Sequence, residues 1–240
     1  MGVKVTRKKP RNLLLSIMYR VNSIIPLSNR IKMKLFLDLE WIFDRLAHET
    51  SFKLYQEDQH PVRYASRDFI LKKIDAQHTV LDLGSNQGYM SNFLAEVAKL
   101  VVGIDYNKEA VELADKRFSK DNLTFICGEA FDYLETNHIK FDVLILSHIL
   151  EHLDHPSELL AKLKKHFSLI YIEVPDFEKS YLNQYRLDYG VKLNYTDDDH
   201  IHEFNRNELH ELHELIKKSN LIIEDEDYRN GVQRIWCRTD

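Results

Sequence analysis

Residues 80–88 read Val80-Leu81-Asp82-Leu83-Gly84-Ser85-Asn86-Gln87-Gly88, and this stretch decides the fold. A short run rich in β-formers, Thr79–Leu83, leads into it, and a helical pattern of apolar residues begins at Met90. Glycine lets a backbone approach a ligand closely, and the first N–H groups of a helix are free to bind one. The stretch therefore predicts a strand–turn–helix unit with a ligand at the carboxyl end of the strand.

The chain on either side of this unit repeats the same alternation of strands and helices. Four more strand-like runs follow at 100–104, 123–127, 141–146 and 167–174, with helical patterns between several of them. Two last runs, at about 220–228 and 231–238, flank Asn230-Gly231, which is typical of a hairpin. The pattern predicts an α/β fold with a seven-stranded, mostly parallel sheet and helices on both faces. Ligands of such sheets bind beyond the carboxyl ends of the strands.

The composition excludes several classes of protein. The chain has 240 residues, 44% of them hydrophobic, and no apolar run reaches the roughly 18 residues that a membrane span needs. Its two cysteines, Cys127 and Cys237, are too few for a disulfide scaffold or a cysteine-rich zinc module. We therefore expect one domain with decorations, in a reducing, cytoplasmic compartment.

Charge is distributed unevenly along the chain. Residues 1–37 hold nine Lys and Arg and no acidic residue, whereas the rest of the chain carries a formal charge of −14. The negative charge of the chain after residue 37 would repel the phosphates of a nucleic acid, so we expect no nucleic-acid partner.

The basic arm also has apolar residues at helical spacing, from Leu13 to Ile25. Residues 1–64 are interpreted as a helical extension and residues 65–240 as the main domain. Three roles for the arm stay open: a helix packed on the main domain, a helix of residues 1–30 in peripheral contact with an anionic membrane such as the inner face of the cytoplasmic membrane, or a targeting peptide.

Acidic residues near the strand ends indicate the kind of ligand. Asp105 ends the second strand, where a carboxylate can accept both hydroxyls of a ribose, and Glu129 follows the third strand. The Gly84–Gly88 turn lacks the G-x-G-x-x-G pattern of dinucleotide sites, and Asp82 would repel a pyrophosphate. A positively charged, zwitterionic cofactor such as S-adenosylmethionine fits this charge better.

Four segments in order resemble the motifs of class I S-adenosylmethionine-dependent methyltransferases. Residues 80–88 resemble the first motif, with Asn86 in place of its middle glycine. Residues 102–105 and 127–130 resemble the second and third motifs, and 141–153 resembles the fourth strand of members with a "VLEHL" signature. The resemblance implies a Rossmann-like methyltransferase fold and S-adenosylmethionine as cofactor. The residues expected to bind it are Asp82, Gly84, Ser85, Asn86, Gly88, Asp105, Tyr106, Glu129, Ala130, Ser147 and His148.

His148, Glu151 and His152 form the candidate catalytic cluster. Two similar subgroups, plant-type small-RNA 2′-O-methyltransferases and ubiquinone-pathway O-methyltransferases, bind a divalent ion through an E-x-x-E-H segment at this place. The resemblance implies metal candidates His148, Glu151, His152 and, downstream, His202. Two alternatives stay open: His152 as a general base or substrate contact, with Glu151 beside it, or a purely structural cluster.

Residues 176–204 are interpreted as an insertion that could cover the substrate. Tyr181, Tyr185 and Tyr189 recur every four residues, so Tyr181 and Tyr185, with His202, are the candidate substrate contacts, although packing is the alternative. The acidic run at 197–199 is interpreted as solvated, and a helix is expected from Asn205 to about Lys218.

The expected reaction is methyl transfer to a hydroxyl oxygen. The resemblance to methyltransferases of cell-surface polysaccharides favours a glycan or lipid-linked saccharide acceptor. A small phenolic or other metabolite and, less favoured on charge, RNA are alternatives, as is a non-catalytic regulator that binds the cofactor. The sequence leaves the oligomeric state open.

Overall fold

The structure, a computed structural model, describes residues 12–137, 140–190, 199–206 and 211–239. Two helices lead the chain, α1 (Leu13–Ile24) and α2 (Asn29–Leu54). Asn12 caps α1 through a side-chain hydrogen bond, and Ser28 caps α2 in the same way. The third helix, α3 (Pro61–Ile70), begins at a proline, which is favoured at the first helical position.

The main domain alternates strands and helices as the sequence predicts. The remaining elements in chain order are β1 (Thr79–Leu83), α4 (Tyr89–Leu94), β2 (Leu100–Asp105), α5 (Lys108–Arg117), β3 (Leu123–Cys127), α6 (Ala130–Asn137), β4 (Val143–Ser147), α7 (Pro156–Leu163), β5 (Leu169–Pro175), α8 (Leu182–Asp188), α9 (Glu211–Lys218), β6 (Leu221–Asp227) and β7 (Val232–Thr239).

The seven strands form one sheet in the order β3-β2-β1-β4-β5-β7-β6. Strands β1 to β5 are parallel, and β7 pairs antiparallel with both β5 and β6. The fold is therefore the Rossmann-like arrangement that was predicted, including the terminal hairpin at Asn230-Gly231, where both residues have positive φ.

Strand register brings the ends of four strands to one edge. Leu83 pairs with Ile104 on one side and Leu146 on the other, and Ser147 pairs with Glu173. Since the order reverses on either side of β1, this edge is the switch point where open α/β sheets bind ligands.

Two apolar clusters cover the two faces of the sheet. Alternating strand residues point to opposite faces, so Leu81 and Leu144 join the cluster with α6, α7 and α9, whereas Val80 and Val143 join the cluster with α3 and α4. Burial on both faces explains why β4 is an almost continuous apolar run.

Some predicted features lie outside the described residues. These are the basic residues at 4–11, Asp197 and Asp198 of the acidic run, and the stretch 207–210 of the helix expected from Asn205. The predicted division at residue 64 falls inside α3, and four residues of this helix that follow it, Ala65, Ser66, Phe69 and Ile70, are buried.

Candidate functional site

The turn after β1 requires its glycines. Gly84 and Gly88 have φ of +74° and +81°, which L side chains rarely adopt. A Cβ at Gly84 would lie 2.3 Å from Cδ1 of Ile149, and one at Gly88 would lie 2.5 Å from Cζ of Phe125. Asn86 also has positive φ, which fits its place in the motif where a glycine is usual. Both glycines are therefore needed for the turn to pack against Ile149 and Phe125.

Asp105 is held rigidly at the end of β2. Its carboxylate accepts hydrogen bonds from the backbone N–H groups of Asn86 and Asn107, both at 2.8 Å. A carboxylate oxygen can accept more than one hydrogen bond, so both oxygens keep acceptor capacity toward the cleft. Asp105 lines a cleft of about 650 Å³ together with six other predicted cofactor residues: Gly84, Asn86, Tyr106, Glu129, Ala130 and His148.

A second cavity of about 510 Å³ extends the cleft along β1 and β4. Asp82, Ser85 and Ser147 line it. Asp82 is buried and accepts a hydrogen bond from the Ser91 hydroxyl, and burial raises its pKa to about 7. The buried hydroxyl oxygen of Ser85 has no hydrogen-bond partner among the described residues. The two cavities share Gly84, Asn86, His148 and His152.

Arg63, on α3, also lines the second cavity, and its positive charge is opposite to that of an ionised Asp82. Its guanidinium lies over the ring of Tyr89, 4.3 Å from the centroid, and over that of Phe52, at 5.0 Å. Partial burial lowers its pKa, and no carboxylate among the described residues forms an ion pair with it. The two joined cavities therefore hold three groups that suit an amino acid joined to a nucleoside. Asp105 can accept hydrogen bonds from a ribose, Asp82 can pair with an ammonium group, and Arg63 can pair with a carboxylate.

His148 sits at the junction of these cavities with a positive φ of 55°. Its Nδ1 is 3.0 Å from the Glu151 carboxylate, and its Nε2 is 3.2 Å from the Glu173 carboxylate. Burial by itself lowers the pKa of His148, but the hydrogen bonds to these two carboxylates outweigh it and raise the pKa to about 10. The two carboxylates therefore favour the imidazolium form of His148.

Behind His148 lies a buried charge network. Glu173 accepts hydrogen bonds from the hydroxyls of Ser66, Ser147 and Tyr171, and its Oε2 is 3.1 Å from Nε of Arg234. Burial by itself raises the pKa of Glu173, but His148, Arg234 and Ser66 together lower it to about 2. The network fixes the end of β4, where the candidate catalytic cluster begins.

Glu151, His152 and His200 come together beside the cleft. One ligand atom from each lies within 4.8 Å of those of the other two. The Glu151 side chain is 0% exposed, and its Oε2 has no hydrogen-bond partner among the described residues. An unsatisfied buried carboxylate oxygen beside two imidazoles is the donor set of a divalent-metal site.

The loop at 199–202 is tied to this cluster by backbone bonds. The N–H groups of Ile201 and His202 donate to the carbonyl of Glu151, at 2.8 and 3.0 Å. The ring centroid of His200 lies 4.9 Å from that of His152. The sequence named His202 as the downstream ligand, whereas the structure places His200 there. The His202 ring instead packs near Phe204.

The candidate substrate tyrosines lie elsewhere on the insertion. Tyr181 and Tyr185 contact each other edge to face, with centroids 5.7 Å apart, and both are exposed. They belong to α8 and the residue before it, and α8 is anchored on α2 by Arg186, which donates to the Leu37 carbonyl at 3.0 Å. Neither tyrosine lines the two cofactor cavities.

Sequence reasoning missed four polar residues of the site. Glu173 and Arg234 stand inside apolar strand runs, and a charge in a buried strand is the signal that could have found them. Arg63 and His200 gave no local signal, because each reaches the site only through the packing of a separate element.

The chain is similar to known methyltransferases. A family model described as a methyltransferase domain matches residues 55–221. The mitochondrial ubiquinone biosynthesis O-methyltransferase of Candida albicans is 34% identical over 103 residues, which cover 40% of this chain and 30% of that protein. The matches span less than half the length of the curated relatives.

Solved structures share the fold at low identity. The S-adenosylmethionine-dependent methyltransferase of Aquifex aeolicus superposes with a TM-score of 0.56 at 15% identity, covering 80% of this chain and 98% of that one. Magnesium protoporphyrin IX methyltransferase of Synechocystis PCC 6803, with bound SAH, gives a TM-score of 0.54 at 15% identity, covering 73% of this chain and 81% of that one.

Proposed function

This chain belongs to the methyltransferase-domain family, and from that premise we propose that it transfers the methyl group of S-adenosylmethionine to a weakly acidic hydroxyl of a sugar. The observation that carries the proposal is the Glu151–His152–His200 cluster beside the cofactor cleft, with its unsatisfied carboxylate oxygen. Such a cluster can help to remove the proton from an acceptor hydroxyl whose pKa is too high for it to ionise by itself.

We propose that the cofactor lies along the two joined cavities. Asp105 would accept the ribose hydroxyls, and Glu129 and Ala130 lie where the adenine would be held. Asp82 would face the α-ammonium group and Arg63 the α-carboxylate of the methionyl tail. These four assignments are part of the proposal.

The reaction is a single in-line displacement. The acceptor oxygen attacks the methyl carbon, a C–O bond forms, and the C–S bond breaks with its electron pair going to sulfur. The neutral thioether S-adenosylhomocysteine leaves, and the acceptor gives up its proton. Because the sulfonium is already a good leaving group, the protein's task is to align the two groups and to remove the proton.

A divalent ion would fit the cluster, held by the Glu151 carboxylate and by imidazole nitrogens of His152 and His200. When bound, it would supply positive charge that lowers the pKa of a coordinated hydroxyl. His148 donates to Glu151 and would hold its carboxylate in position. A sugar hydroxyl is so weakly acidic that it needs such help, whereas a phenol needs much less.

A second candidate is His152 acting alone as a general base. Its Nδ1 lies 3.3 Å from the Asp199 carbonyl oxygen and 3.5 Å from the Asp199 carboxylate, so that residue could orient the ring with Nε2 toward an acceptor. A phenolic or other metabolite hydroxyl suits this candidate, and the Candida relative's name, an O-methyltransferase of ubiquinone biosynthesis, also favours an oxygen acceptor.

The experiment is methyl transfer from radiolabelled S-adenosylmethionine to a panel of acceptors. The panel holds glycans and lipid-linked saccharides, catechols and other phenols, and RNA, each with and without added Mg²⁺ or Mn²⁺. Transfer to the saccharides that needs the added ion supports the proposal. Transfer confined to phenols supports the second candidate and contradicts the sugar assignment. A protein that binds the cofactor yet methylates nothing on the panel would contradict both and point to a non-catalytic regulator.

A further inference from the structure

The first two helices carry an apolar surface that no other described part of the chain covers. Among the described residues, 29 large apolar side chains are exposed, and 20 of them lie within residues 13–55. Helix α1 buries none of its residues, and α2 buries only Leu37. We call the following side chains the N-terminal apolar surface: Leu14, Ile17, Val21 and Ile24 of α1, and Ile31, Leu35, Leu39, Ile42 and Leu46 of α2.

Each of the two helices presents these residues along one side. In α1 they recur at intervals of three and four residues, and in α2 they follow the same spacing from Ile31 to Leu46. The α2 stripe is therefore about 22 Å long, at 1.5 Å per residue. An exposed apolar stripe of this length usually marks an interaction surface.

The other side of α2 is fixed to the main domain. The buried guanidinium of Arg186 donates to the Leu37 carbonyl and to the Glu40 carboxylate, and Lys179 pairs with Asp44 at 3.2 Å. These contacts determine which side of α2 faces outward. The apolar stripe is thus a stable feature of the surface.

Helix α1 is tied to α2. The ammonium group of Lys32 donates to the carbonyl of Asn22 at 2.6 Å. The short connection between the helices, residues 25–28, ends in the Ser28 cap of α2. The apolar side chains of the two helices therefore lie on one unit of structure.

The charge of this unit is positive. Residues 1–37 hold nine basic residues and no acidic one. Helix α2 has four acidic residues, and three of them, Glu40, Asp44 and Glu49, are paired with Arg186, Lys179 and Arg45. Arg20 and Lys34 make no ion pair with any described residue. The outward charge beside the apolar residues is therefore basic.

We propose that the N-terminal apolar surface docks on an anionic lipid bilayer. Apolar side chains would enter the boundary between headgroups and acyl chains, while flanking Arg and Lys side chains bind lipid phosphates. None of the helices in the described ranges could cross a bilayer, so the contact is with one leaflet. A second copy of the chain is a poorer occupant, because a twofold contact would bring the same basic surface against itself.

Docking through these helices would also bring the catalytic cleft near the lipid surface. Helix α2 runs on to Phe52, which lines a cavity of about 380 Å³ that reaches Ser147 and His148. A chain docked through α1 and α2 would thus hold a branch of its cleft close to the bilayer. The docking itself does not depend on the identity of the acceptor.

The test is sedimentation of the full chain with vesicles. Phosphatidylcholine vesicles with one quarter phosphatidylglycerol are compared with phosphatidylcholine alone. One variant replaces Ile17, Val21 and Ile24 by Gln, and a second carries Arg20→Gln and Lys34→Gln. The matched control, Leu113→Gln with Ile222→Gln, removes exposed apolar side chains from the main domain.

We expect the native chain and the control to sediment with the anionic vesicles, and each test variant to lose about tenfold in vesicle affinity. Calorimetry with S-adenosylhomocysteine checks that every variant keeps a folded cofactor site, so a failure here is separate from a failure of the proposed function. Three results would overturn the proposal: no sedimentation of the native chain, equal sedimentation with neutral vesicles, or undiminished binding of both test variants. A dimer in light scattering that the α1 variant dissociates would also overturn it, since the surface would then be a self-contact.

Discussion

Glu173 and Arg234 are register partners on β5 and β7, and Nε of Arg234 lies 3.1 Å from Oε2 of Glu173 with both side chains buried. The Arg234 guanidinium also reaches the Asp227 carboxylate and the Arg229 carbonyl, so its donors are used within the protein. Through His148 this pair supports the end of β4. The antiparallel strand β7 is therefore linked to the candidate catalytic cluster through Glu173 and His148.

Arg234→Ala is expected to lower the free energy of unfolding by about 3–5 kcal/mol. The substitution removes one of the two counter-charges of the buried Glu173 carboxylate and leaves only His148, and breaking a buried ion pair costs that much. Chemical denaturation measures it. The control is Arg238→Ala on the same strand, whose half-exposed pair with Glu224 is worth about 0.5 kcal/mol or less. Equal effects of the two substitutions would contradict the role assigned to the network.

Asp105→Ala is expected to weaken cofactor binding by about 2–4 kcal/mol, because the ribose loses two charge-assisted hydrogen bonds. Calorimetry with S-adenosylhomocysteine measures the affinity. Asp115→Ala, which changes an exposed carboxylate on α5, is the control. Unchanged affinity in the Asp105 variant, with the fold intact by circular dichroism, would rule out a nucleoside at this position.

Cofactor affinity is expected to increase from pH 5.5 to 7.5. The folded-state pKa of Asp82 is about 7, above its ordinary value of 3.8, so the carboxyl takes up charge over this range and then attracts the ammonium group. For folding the sign is opposite: the raised pKa contributes stability that is present below pH 3.8 and lost as the pH rises through about 7. Asp82→Asn should flatten both profiles, as calorimetry and thermal unfolding at several pH values would show. A native affinity that does not change with pH would disprove the ammonium contact.

Arg63→Ala is expected to lower affinity for S-adenosylhomocysteine about tenfold, while affinity for methylthioadenosine stays unchanged. The second ligand has the same nucleoside but lacks the amino-acid carboxylate, so the comparison isolates the proposed contact. Arg67→Ala, one turn along α3 and already paired with Glu96, is the matched control. Equal losses for both ligands would show that Arg63 only maintains the shape of the cavity.

The sequence was sufficient to predict those parts of the fold in which a single local pattern determines the backbone conformation. The residues from Val80 to Gly88 gave the first strand, the turn and the next helix, since their apolar run and glycines allow few other conformations. Asn230-Gly231 gave the terminal hairpin for the same reason.

Contacts between distant segments were not predictable in the same way. His200 and His202 are equivalent on a local pattern, and only the backbone bonds from 201 and 202 to Glu151 decide which imidazole faces the cluster. Similarly, Arg63 reaches the cofactor cleft because α3 packs on β7, which no spacing within α3 encodes.

The last prediction concerns the two imidazoles beside Glu151. If the cluster holds a divalent ion, chelator should abolish activity and added ion should restore it. Glu151→Gln, His152→Ala and His200→Ala should each lower kcat by about 10²–10⁴-fold, because the loss of one ligand disables the shared ion.

Calorimetry can measure the binding of Mn²⁺ to the cofactor-free protein, and this readout does not depend on activity. His202→Ala is the control, since its imidazole lies two residues from His200 but outside the cluster: it should keep the ion that His200→Ala loses. Chelator-insensitive activity that only His152→Ala removes would instead assign the general base, because a base needs neither Glu151 Oε2 nor His200 as a ligand. Full turnover in a double variant of Glu151 and His152 would exclude both the metal site and the general base. The cluster would then have only the structural role of holding the loop at 199–202.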